Sequence, residues 1–132
     1  MQWEPTLAMG IAELDDQHRE ILHHLDLLIQ AIRRGCSRDQ VGLVVAFLRR
    51  HVDSHFEAEE ALMRATAFPD LPTHRAEHES FVRELQEIEL DYDRNGATPR
   101  LILYVNTQVS LWVHDHMFRA DRAFASFLRA RS

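Results

Sequence analysis

The chain's possible folds are limited most by the spacing of its apolar residues between a few backbone breakers. Glycine and proline occur only four times each in 132 residues. Pro5 and Gly10 lie near the start, and Gly35 follows the first patterned run. Pro69 and Pro72 bracket FPDLP, and Gly96 and Pro99 bracket NGATP. These breaks leave four long segments, near 15–34, 38–66, 73–94 and 99–129. Within each, apolar residues recur at alternating three- and four-residue intervals, the period of a helix with one buried face. The first stripe is His18, Ile21, Leu22, Leu25, Leu28, Ile29 and Ile32. The second runs from Val41 through Val45, Leu48, Val52, His55, Phe56 and Glu59 to Met63. The third holds His74, His78, Phe81, Val82, Leu85, Ile88 and Tyr92. The fourth holds Leu101, Val105, Val109, Trp112, Val113, His116, Ala120, Phe124 and Phe127. None alternates with period two over a useful length, which disfavours strands.

Boundary signals agree. Asp15 or Asp16 is expected to cap the first helix, Thr73 the third, and Thr98-Pro99 reads as an N-cap with proline at the first helical position. Gly35 and Gly96 suit left-handed helix stops. Four helices joined by short turns predict an all-α, antiparallel up-down-up-down four-helix bundle. The length fits one domain over 1–132, with residues 1–14 as an extended arm whose Trp3, Leu7, Met9 and Ile11 pack along the bundle.

Fifteen basic residues, all arginine, against 21 acidic ones give a net charge of −6, with no basic arm. Nucleic acid and anionic membrane are therefore not expected partners. The single cysteine, Cys36, excludes an internal disulfide framework, and its place at a turn points to an inert or subunit-crosslinking thiol. A start carrying acids where a secretory leader would carry bases, and no stretch long enough to span a bilayer, lead to a cytoplasmic expectation. The sequence does not identify a protein partner.

The informative anomaly is polarity inside the stripes. His18, His55, Glu59, His74, His78 and His116 interrupt apolar faces, and Asp121 lies at a stripe edge. A lone stripe histidine is usually a satisfied core residue, and a buried Glu without a partner costs several kcal/mol. In an up-down-up-down bundle, however, the start of the first helix, the end of the second, the start of the third and the end of the fourth share one end. All seven residues fall there. His55 and Glu59, and likewise His74 and His78, are four apart and share a helix face. His116 and Asp121 are five apart, which turns the aspartate roughly 140° away on a regular helix. Five imidazoles and two carboxylates exceed one tetrahedral zinc, so a structural zinc site would leave ligands unexplained. They suit two transition-metal cations, three nitrogens on one and two on the other, with bridging carboxylates and one open position.

The motifs GIAELDDQH (Gly10 to His18), HFEAEEALM (His55 to Met63), PTHRAEH (Pro72 to His78) and WVHDHMFRAD (Trp112 to Asp121) together resemble the hemerythrin family, specifically the single-domain bacteriohemerythrins. The resemblance covers almost the entire chain, in the family's order. It implies two iron ions bridged by an oxo or hydroxo group. His74, His78 and His116 would hold one iron and His18 and His55 the other, with Glu59 and Asp121 spanning both. It also implies reversible dioxygen binding at the two-histidine iron, with Phe56, Trp112, Val113 and Met117 as pocket walls. Val113, Met117 and Ala120 depart from the larger aliphatic residue, the isoleucine and the threonine common in the family, which implies a looser pocket and faster autoxidation.

The expected function is therefore oxygen carriage, storage or sensing rather than catalysis, although a sensing role would need a separate protein partner. The alternative is a di-iron enzyme acting on oxygen, peroxide or nitric oxide. Carboxylate-rich di-iron oxidases carry paired Glu-x-x-His motifs, whereas here nitrogens outnumber carboxylates five to two. His23, His24, His51 and His114 are expected at the surface or its margin, and Glu60, beside Glu59 but off the stripe, in solvent.

Overall fold

Helix starts and stops in this chain are set by a few local hydrogen bonds. The computed structural model describes residues 9–131. Trp3 and Leu7 lie outside the described residues. Helix α1 (Ala12–Arg33) ends at Gly35, whose φ of 67° lets the Cys36 N–H donate back to the Ala31 carbonyl at 3.1 Å. Helix α2 (Arg38–Ala65) opens with a reciprocal capping box: Gln40 N–H donates to Ser37 Oγ at 3.2 Å, and Ser37 N–H donates to Gln40 Oε1 at 3.1 Å. Its C-terminal turn closes through Ala67, a non-glycine residue at φ 56°, so that Phe68 N–H reaches the Met63 carbonyl at 2.9 Å. Helix α3 (Leu71–Asn95) stops at Gly96, at φ 72°.

The fourth rod is not one regular helix. It runs as α4 (Pro99–Tyr104), a π turn at Val105–Val109, α5 (Ser110–Asp115), a second π turn at His116–Asp121, and α6 (Arg122–Arg131). Thr98 caps it as expected, its side chain accepting from Leu101 N–H at 3.1 Å. Two other cap expectations are corrected. Helix α1 starts earlier, at Ala12, and the Asp15 carboxylate instead accepts the Met9 N–H at 2.7 Å, while exposed Asp16 pairs with Arg19. Helix α3 starts at Leu71 behind Asp70, which makes no side-chain cap bond, so Thr73 is already inside the helix.

Helix α1 packs on α2, α2 on α3, and α4 touches both α1 and α3, which closes a four-rod, all-α bundle. Among the described residues there is no strand, and no helix is long and apolar enough to cross a membrane. The larger core cluster includes Ile21, Leu25, Leu48, Val52, Phe81, Leu85, Val105, Val109 and Val113. A smaller one joins Met9, Leu14, Met63, Phe68, Phe124 and Ala125 at the other end, with Ile11 packed against it. Met9 and Ile11 thus pack onto the bundle as expected. Along every rod the polar stripe residues fall between or beside these two clusters: His18 between Leu14 and Ile21, Glu59 between Val52 and Met63, and Asp121 between Met117 and Phe124.

Candidate metal centre

All seven expected site residues are brought together and buried: His18, His55, Glu59, His74, His78, His116 and Asp121 are each at most 3% exposed. The two i, i+4 pairs project from α2 and α3 as helical geometry dictates. The i, i+5 pair, the weak link on a regular helix, is resolved by the backbone. The π turn spans His116–Asp121, and its wider turn brings residues five apart into register. His116 Nε2 and Asp121 Oδ1 come to 3.2 Å.

Each carboxylate divides its two oxygens between two sets of imidazoles. Glu59 Oε1 lies 2.5 Å from His74 Nε2 and 3.3 Å from His78 Nε2, while Oε2 lies 3.1 Å from His55 Nε2 and 3.9 Å from His18 Nε2. Asp121 Oδ1 lies 3.0 Å from His74 Nε2 and 3.2 Å from His116 Nε2, while Oδ2 lies 3.1 Å from His18 Nε2. Two overlapping donor groups result, one of His74, His78 and His116 and one of His18 and His55, sharing Glu59 and Asp121. Within each group one donor atom per residue lies within 4.8 Å of the others.

The outer nitrogens are held by residues that sequence reasoning missed. His55 Nδ1 lies 2.7 Å from Gln17 Oε1, His78 Nδ1 lies 2.8 Å from Glu60 Oε2, and His116 Nδ1 lies 3.4 Å from Glu77 Oε1. An Nδ1–H donated outward leaves the Nε2 lone pair facing the centre, and the outer partner fixes the ring. Glu60 is thus not simply solvated. Its side chain is only 16% exposed and also accepts from Arg75 Nε at 3.0 Å. Glu77 also receives Arg119 at 2.7 Å. Aromatic faces complete the walls: Phe56 stacks on His78 at 3.7 Å between centroids, and Trp112 stacks on His116 at 4.8 Å.

Electrostatics shows what the centre lacks without an ion. Burial disfavours charge on every group here. For Glu59, burial and the nearby Asp121 both push the pKa up, yet the imidazoles of His55, His74 and His78 around it prevail and hold it down at about 2. Burial likewise opposes ionisation of Asp121, but His116, His18 and His74 hold it well below the usual range. Burial disfavours a proton on His74, but Asp121 and Glu59 raise it to about 9; His116, opposed by burial in the same way, is raised to about 10, chiefly by Asp121. Burial prevails at His55, which is lowered. The chain therefore neutralises two buried carboxylates with protons on His74 and His116.

Even so, the polar inventory does not close. Buried atoms without a hydrogen-bond partner are His18 Nδ1 and Nε2, Glu59 Oε2, His78 Nε2, His116 Nε2 and Asp121 Oδ1, with only Arg49 Nε elsewhere among the described residues. Native cores leave few such groups, so this concentration fits a donor set made for cations. Nitrogen-rich donors with two carboxylates suit transition metals.

Beside the centre lies a cavity of about 20 Å³, lined by His18, His55, His116 and Asp121 and by Ile21, Val52, Phe56, Phe81, Trp112, Val113 and Met117. That volume admits one water-sized molecule. The departures at Val113 and Met117 have not made a roomy pocket, since the cavity they line measures only about 20 Å³, and Ala120 does not line it. Of the surplus histidines, His23 and His114 are exposed and His24 and His51 half-buried, as expected.

Comparison with known proteins agrees with this geometry. The family model for the hemerythrin HHE cation binding domain matches residues 9–128. A bacteriohemerythrin of Stenotrophomonas maltophilia is 30% identical over 128 residues, covering 97% of this chain and 81% of that protein. One from Ralstonia nicotianae is 30% identical and covers 99% and 90%; one from Clostridium acetobutylicum is 23% identical and covers 92% and 96%. With the family model spanning nearly its whole length, the chain belongs to the hemerythrin HHE family.

Proposed function

We propose that the chain binds dioxygen reversibly at a non-haem di-iron centre, as a carrier, store or sensor rather than a catalyst. His74, His78 and His116 would hold one iron and His18 and His55 the other, with Glu59 and Asp121 spanning the pair beside an oxo or hydroxo bridge. The observation that carries this reading is the split of each carboxylate, one oxygen toward each imidazole set. When bound, the iron pair supplies two electrons that can be lent to dioxygen and recovered.

The chain's own residues do the rest. Gln17, Glu60 and Glu77 orient His55, His78 and His116. The cavity touches both His18 and His55, the group one nitrogen poorer, and from the other group only His116, with the shared Asp121, so a small molecule has room beside the incomplete donor set. Its apolar walls admit a diatomic molecule and exclude most water, which favours release of the ligand unchanged over hydrolytic side reactions.

Metal analysis and optical spectra of the ferrous protein before and after exposure to air test the proposal. Two irons per chain and a visible band that forms in air and disappears under vacuum are expected. Fewer irons, or irreversible bleaching with substrate turnover, would overturn it, the latter in favour of an enzyme.

A further inference from the structure

We propose that Glu20, His24 and His51 form a second, surface site for a divalent transition-metal ion, of the zinc, nickel or copper kind, that clips α1 to α2. His24 lies on α1 and His51 on α2, and their rings stack across the helix interface at 4.2 Å between centroids and 27° between planes. Glu20 is one turn before His24, with Oε2 3.9 Å from His24 Nδ1. One donor atom from each of the three lies within 4.8 Å of the other two.

In both imidazoles one nitrogen is already occupied, which leaves the other as the available donor. His24 Nδ1 lies 2.8 Å from the Glu20 carbonyl and His51 Nδ1 lies 2.9 Å from the Phe47 carbonyl. A carbonyl only accepts, so each Nδ1 carries the proton and each Nε2 keeps its lone pair for an ion. A backbone carbonyl holding the far nitrogen is a usual support for a metal-bound histidine. The His24 side chain is 16% exposed, which limits its rotamers, while the Glu20 side chain is 58% exposed and free to swing over the pair. Two imidazoles and one carboxylate form a three-donor set whose fourth position is left to water. The nitrogen majority selects against magnesium and calcium. No member belongs to the buried centre, so the two sites can fill independently.

The test adds Cu²⁺ to the iron-loaded, air-oxidised full-length chain freed of loosely bound metal, and follows it by electron paramagnetic resonance and metal analysis. The wild type is expected to take up one further equivalent, with hyperfine coupling from two imidazole nitrogens and no loss of iron. His24→Gln and His51→Gln should each lose that signal at unchanged iron content and helicity, and Glu20→Gln should weaken uptake. Equal uptake by wild type and His51→Gln would overturn the assignment, as would release of iron in step with copper binding. Because wild type and variant are compared at the same iron content, a copper signal lost only in the variants reports on this site and not on the buried centre.

Discussion

Replacing Glu60 should loosen metal binding at the buried centre without disturbing the bundle. Its Oε2 accepts from His78 Nδ1 at 2.8 Å, and the second oxygen is engaged by Arg75. A hydrogen bond to a charged group contributes about 1.5–3 kcal/mol, and each ~1.4 kcal/mol is tenfold in affinity. The carboxylate is 16% exposed and its Arg75 partner 44%, so solvent screens part of that. Glu60→Ala should therefore weaken Fe²⁺ binding by about 10–30-fold, the lower part of the range for outer-sphere partners. Glu60→Gln should cost only about 3–10-fold, because an amide oxygen still accepts the Nδ1 proton but brings no charge. His78 stays seated against Phe56 in both variants, so the effect is graded weakening rather than loss of the site. Anaerobic competition with a fluorescent chelator measures it, with Glu57→Ala at an exposed neighbouring position as the control. If both variants bind iron like the wild type at unchanged helicity, the idea that Glu60 tunes His78 is wrong.

Three further outcomes follow from the geometry. Val113→Leu adds a methylene where the cavity measures only about 20 Å³, so iron content should hold while azide or oxygen uptake falls and autoxidation slows; an unchanged decay of the oxygenated band would refute this. Ala67→Gly should stabilise the fold by up to about 1 kcal/mol in urea titration, since a left-handed φ of 56° is costly for alanine, less the greater freedom glycine has when unfolded. In the metal-free chain, folded-state pKa values of about 9 for His74 and about 10 for His116 exceed the ordinary 6.5. The stability they contribute is complete below pH 6.5 and is lost as pH rises through 9 to 10; urea midpoints should fall across that window, and iron loading, by replacing those protons, should flatten the slope.

How far the sequence could be read depended on whether a feature is local to one helix. The rods were legible because breakers such as Gly35 and Gly96 and apolar stripes of helical period are properties of contiguous residues. The convergence of the seven polar residues was legible because up-down topology turns sequence position into height along the bundle. The caps were less so: Asp15 has cap chemistry, but the helix starts three residues earlier and its carboxylate serves Met9 instead. The π turn at His116–Asp121 carries no composition signal of its own, and only the awkward five-residue interval hinted at it. Gln17, Glu60 and Glu77 were missed because their role is fixed by a ring on another rod. On their own helices they look like the many other polar residues at a stripe margin.

The widened turn that delivers Asp121 also sets the phase of the rod beyond it. A π turn accommodates one residue more than the α turn it replaces. Removing one residue together with the bulge would keep the phase, but winding the same residues as a regular helix would recover i to i−4 pairing and swing everything beyond the turn by roughly 100°. Asp121 would leave the imidazoles, and Phe124 would leave its place beside Phe68 and Met63. Backbone regularity and ion capture are therefore in direct competition at this spot, and a tidier helix would be a blind one.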